Sequence, residues 1–90
     1  MVRRLSAKDA AAPARPDAFD LRLQTAASAW KLTGREQDVL RWLVMGDANK
    51  EIAVKLACHE GTVERHVTSL LVKARCDGRS RLVAHFWTRL

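Results

Sequence analysis

A chain of 90 residues fits one small domain with an appended arm, room for roughly three to five short helices. Its 16 Lys and Arg against 10 Asp and Glu give a formal charge of +6, which favours an anionic partner, nucleic acid before an acidic membrane surface. No apolar run approaches the roughly 20 residues that span a bilayer. The basic start Met1-Val2-Arg3-Arg4 lacks the apolar core of a secretory signal, and two isolated cysteines, Cys58 and Cys76, point to reduced thiols, so a cytoplasmic protein with no membrane partner is expected.

Residues 1–15 read as a disordered basic arm: an Ala run, Pro13 and almost nothing large to bury. Pro16-Asp17 is a helix start, and Phe19, Leu23, Ala26, Ala27 and Trp30 then recur at helical spacing. Residues 16–31 are therefore expected to form a helix that packs on the domain behind it. Thr33-Gly34-Arg35-Glu36 matches a capping box; Val39, Leu40, Leu43 and Val44 make one apolar face, and Gly46 ends that helix. Asn49 is the expected cap of a short helix with Ile52, Ala53 and Leu56 inward. Ala57-Cys58-His59 breaks the chain. A longer helix follows from Glu60 to Ala74, with Val63, Val67, Leu70, Leu71 and Ala74 inward. Asp77-Gly78 ends it, and Ser80 is the expected cap of a last helix carrying Leu82, Val83, Phe86 and Leu90. No strand-like alternation, repeat or phosphate-binding glycine loop interrupts this, so the fold class is all-α.

Two short helices joined by a tight break, the second longer, follow the helix-turn-helix plan. Ala53 supplies a small residue for the crossing. A helical wheel of residues 60–74 turns Gly61, Arg65, Thr68, Ser69 and Val72 outward, with Glu64 on one flank and Thr62, His66 and Lys73 on the other. Arg65 and Thr68 are side chains of the right type to meet base edges. Thr62 at the helix start and Lys50 on the bracing helix suit phosphates. A helical bundle with a solvated polar face satisfies the same periodicity.

Leu32 to Leu40, Gly46, Asn49-Lys50-Glu51-Ile52-Ala53, Glu60-Gly61-Thr62-Val63, His66 and then Arg79-Ser80 with Leu82-Val83 closely resemble the LuxR/GerE-type DNA-binding domain of bacterial transcription regulators. The resemblance covers about residues 32–86. It implies a four-helix domain over 32–90, here with an additional N-terminal helix, whose third helix enters the major groove of double-stranded DNA. Carried over by position, it implies Glu64, Arg65 and Thr68 as base-reading residues and Lys50, Thr62, His66, Ser69 and Lys73 as phosphate-binding ones. It also implies a homodimer through the C-terminal helix around Leu82, Val83 and Phe86. Trp87, beside Phe86, joins that expected surface.

Four positions depart from the family. Glu64 stands where Lys is frequent, His59 where Ser often caps the helix, Arg75 where Gly is common, and Cys76 where an aliphatic core residue is usual. Cys58, His59, His66 and Cys76 match no zinc-finger spacing, so neither metal nor cofactor is expected. His66 and Ser69 lack a third orienting group, so no catalytic residue and no enzyme is expected. A regulator that binds DNA as a dimer stands beside a second class, a module of the same fold that modulates another regulator. The residues ahead of Leu32 are too few for a sensor domain, so the expectation is either a free-standing regulator, the reading Met1 favours, or a fragment of a longer one.

Overall fold

The computed structural model describes residues 17–90, which form five helices and no strand. The arm expected over 1–15 lies outside the described residues. In chain order the helices are α1 (Ala18–Ala29), α2 (Gly34–Leu43), α3 (Asn49–Lys55), α4 (Glu60–Ala74) and α5 (Arg79–Thr88).

The first three helices start on a local hydrogen bond. Asp17 Oδ1 accepts the Asp20 N–H at 2.8 Å and caps α1. Thr33 and Glu36 form the full capping box of α2: Glu36 N donates to Thr33 Oγ1 at 3.2 Å, and Thr33 N donates to Glu36 Oε1 at 2.9 Å. The cap of α3 is Ala48, not Asn49. Glu51 Oε1 accepts the Ala48 N–H at 2.7 Å, which satisfies that end without a capping side chain. Asn49 is thereby free for another partner: its Oδ1 accepts from Arg79 at 2.6 Å, while the same guanidinium donates to Asp47 O at 2.6 Å. That pair fastens the start of α5 to the start of α3. Ser80 likewise is no cap, because α5 begins a residue earlier, at Arg79 after an extended Gly78.

Four of the helices end in one way. The N–H of Leu32, Asp47, Cys58 and Cys76 reaches back to the carbonyl of Ala27, Trp42, Ala53 and Leu71, at 2.9, 3.1, 3.0 and 2.9 Å. The preceding residue is left-handed each time: Lys31 (φ 54), Gly46 (φ 100), Ala57 (φ 54) and Arg75 (φ 56). Only Gly46 adopts that geometry without opposition. The other three each carry a Cβ there, at about 1 kcal/mol apiece.

Phe86, Leu40, Leu43, Ile52, Leu70, Leu82, Val39 and Val63 are the fully buried large side chains. They come from α2, α3, α4 and α5, so the core is one cluster around α4, which packs chiefly on α2 and α3. Helix α1 adds Leu23 and Ala26 to it, with Trp30 following at the helix's C-cap. It also grips the chain's end: Arg22 donates to Phe86 O and Leu90 O at 2.9 and 2.8 Å, and Phe19 stacks on Trp87 with centroids 5.7 Å apart. Trp30 is buried and meets His85 edge-on, and Lys55 Nζ lies 4.1 Å over the half-buried Trp42 ring. No helix of the described residues is long and apolar enough to cross a membrane.

Candidate nucleic-acid interface

Helices α3 and α4 supply the expected pair. Ala53 is buried where they meet, and a Leu56–His59 turn with Ala57 left-handed swings the chain into α4. His59, at the cap position of α4, makes no capping hydrogen bond with its side chain, so the first turn of a helix about 22 Å long opens without one.

The outward face of α4 carries Gly61, Glu64, Arg65, Thr68 and Val72, all exposed, with Val72 at 72%. Thr62 and His66 are half-buried on its flank, and Lys50 is exposed on α3. A Cβ at Gly61 would meet nothing within 4 Å. Glycine inside a helix costs about 0.5–1 kcal/mol against alanine, and no contact among the described residues calls for it. This face carries one acid, Glu64, against one base, Arg65, and Glu60 is exposed at the first position of α4, so the exposed part of the helix has no surplus of positive charge.

Ser69 and Lys73 stand elsewhere than expected. Both turn toward α2 and converge on Glu36, which is only 5% exposed. Ser69 Oγ donates to Glu36 Oε2 at 2.6 Å, and Lys73 Nζ donates to Oε1 at 2.7 Å. With the Thr33 N–H also on Oε1, the carboxylate has three donors. Burial alone would raise its pKa; the hydrogen bonds from Lys73, Ser69 and Thr33, with the Lys73 charge, outweigh it and hold the group at about 2 against an ordinary 4.5. These two side chains thus fix the position of α4 against α2 in the free protein, where Glu36 is the partner each has in place of the phosphate expected of it. Glu36 was legible as a capping residue, but its second use needs the tertiary meeting of α2 and α4. Arg79 and Arg22, both donors to distant backbone carbonyls, were missed for the same reason.

The expected dimer surface is also changed. Leu82 and Phe86 are fully buried in the chain's own core, so they offer nothing to a second copy. Val83 is half-buried; Trp87 is 42% exposed, although its indole N–H donates to Val44 O at 3.0 Å and its ring lies on Phe19. Neither cysteine is in a disulfide, and no three metal-ligating side chains cluster among the described residues.

The family model of bacterial regulatory proteins, luxR family, matches residues 31–86. The uncharacterized transcriptional regulatory protein YhcZ of Bacillus subtilis is 44% identical over 52 residues, 58% of this chain and 24% of its own length. The nitrate/nitrite response regulator protein NarL of Escherichia coli is 40% identical over 57 residues, 63% of this chain and 26% of its own. The transcriptional regulatory protein LnrK of Bacillus subtilis is 46% identical over 50 residues, 56% and 23%. The chain therefore spans about a quarter of the length of these curated relatives. No solved structure matches it. Helix α1 lies wholly ahead of the matched residues.

Proposed function

The chain belongs to the luxR family of bacterial regulatory proteins, and from that premise we propose that it is a cytoplasmic, non-enzymatic regulator of transcription that binds double-stranded DNA sequence-specifically. Helix α4 enters the major groove. Arg65 and Thr68, with Glu64 beside them, read base edges: Arg pairs bidentately with guanine, and Glu accepts from cytosine N4. Lys50, Thr62 and His66 take phosphates. The supporting observation is the α3–turn–α4 unit itself, whose outward stripe Gly61, Arg65 and Thr68 stays exposed while Ser69 and Lys73 hold the helix in place. The open space at Gly61 suits close approach of a sugar-phosphate backbone. A homodimer through α5 uses what that helix leaves uncovered, Val83 and Trp87.

Selection of bound sequences from random duplexes tests the reading. An enriched motif is expected, and a dimer will return it as an inverted repeat. Arg65→Ala is expected to cost about 1–3 kcal/mol on the selected site and to blur one base position. Retention of full affinity by that variant would remove Arg65 from the reading face. The surplus of Glu60 and Glu64 over Arg65 favours the second reading, a module that engages another regulator; failure of the selection, with a protein partner recovered through the α4 face, would establish it instead.

A further inference from the structure

Five of the twelve Lys and Arg side chains among the described residues face a carboxylate. Arg35 pairs with Asp38, Arg41 with Asp20, Lys55 with Asp47, Lys73 with Glu36 and Arg81 with Asp77. Arg22 and Arg79 donate to carbonyl oxygens. Lys31 and Arg75 have no carboxylate within 4.0 Å among the described residues, and the fold brings them together. With Trp30 and Val72 they line one depression of about 650 Å³ at the C-terminal end of α4. Lys73 Nζ also reaches Lys31 O at 3.4 Å, which ties the turn after α1 to that end of α4.

Arg75 is the exposed, left-handed residue that directly follows the last turn of α4, three positions beyond Val72. Duplex DNA carries about one negative charge per 1.7 Å of axis. In the proposed major-groove placement α4, with 15 residues, is about 22 Å long, enough for its last turn to reach backbone phosphates beyond the bases read by Arg65 and Thr68. Its first two turns hold Glu60 and Glu64 against Arg65 and cannot supply the attraction by themselves. Lys50, Arg65 and Arg89 likewise have no carboxylate partner among the described residues, and Lys31 with Arg75 stand at the C-terminal end of α4.

We infer that Lys31 and Arg75 form a phosphate-binding site at the far end of α4, which takes backbone phosphates of the duplex that Arg65 and Thr68 read. The assignment rests on the proposed DNA binding. Both residues are left-handed, so glycine at either position removes the charge and the backbone strain together. Folding and binding should therefore move in opposite directions.

The test measures affinity of the full chain for a selected duplex and for an unrelated one across a salt series, in the parent, Lys31→Gly, Arg75→Gly and Arg75→Lys. Each glycine variant is expected to melt several degrees higher than the parent. Each should lower the slope of log affinity on log salt by about 0.9 and weaken both duplexes by the same factor. Arg75→Lys should keep the parent slope. If the parent binds with a salt-dependent slope and both glycine variants retain it, the site is overturned while the DNA reading stands. If the parent shows no salt-dependent duplex binding, both fall.

Discussion

Arg65 and Ser69 stand one turn apart on α4, both polar, both on the half of the helix turned from its own apolar stripe, and they meet different surroundings. Arg65 points into solvent with no carboxylate partner among the described residues, whereas Ser69 donates to a buried carboxylate on α2. Lys73, one turn further, sides with Ser69. A third element divides the helix into a flank that fixes its position and a stripe left for a ligand. The division predicts a separation: variants of the flank should change stability and leave the salt dependence of DNA binding alone, and variants of the stripe should do the reverse.

Glu36→Ala should break the flank most severely. It leaves the Thr33 N–H, the Ser69 hydroxyl and the Lys73 ammonium without their shared acceptor, at about 3–4 kcal/mol. In a domain of this size that lowers Tm by roughly 15 °C in a calorimetric scan. Affinity for DNA per folded molecule should keep its salt slope. A loss of slope with no loss of Tm would reverse the two roles.

Acid titration should probe the same carboxylate next in size. Its pKa is lowered on folding, from 4.5 to about 2, so its contribution is fully present above pH 4.5 and lost as pH falls through about 2. The difference amounts to about 3 kcal/mol, at the scale of 1.36 kcal/mol for each unit. Urea melts between pH 5 and 2 should show this acid-side decline in the parent and much less of it in Glu36→Gln.

The sequence made the helices legible because their signals are local. The expected 60–74 helix is the observed α4, Thr33 and Glu36 do form the capping box, and Gly46 takes the positive φ its position needed. The core followed from the same 3.6-residue periodicity. The two missed caps show where local signals compete. Asn49 is a better cap than Ala48, but Glu51 satisfies that end from inside the helix and Arg79 claims the Asn49 oxygen. The wheel placed Ser69 outward and Lys73 on a flank correctly relative to α4 alone; it could not know that α2 lies against that side. Leu82 and Phe86 differ in the opposite sense, buried where an exposed surface is expected. They were carried to a dimer surface by position, although apolar side chains at that spacing also fill a core, and here α1 covers the far end of α5 and completes it.

Ser69→Ala sharpens the separation at lower cost. It removes one hydrogen bond to a charged acceptor, about 1.5 kcal/mol. Tm should drop by several degrees, and the salt slope should match the parent. Had Ser69 been a phosphate ligand, affinity would fall instead and Tm would not.

Glu64 gives the smallest expected effect and the finest distinction, because two forces act on it in opposite directions. As a like charge roughly 8 Å from a phosphate in water it repels by about 0.5 kcal/mol, and less under salt. As an acceptor for cytosine N4 it discriminates by about 1–3 kcal/mol, at one base pair only. Glu64→Gln removes the charge and keeps the length. With base reading dominant, selection from random duplexes should return an altered preference at a single position, with net affinity for the best site changed by about 1 kcal/mol or less. If repulsion dominates, binding to every duplex tightens by the same small factor, preference is untouched, and the effect fades as salt is raised. The salt series decides between them, since a hydrogen bond in the groove survives screening that a charge across water does not.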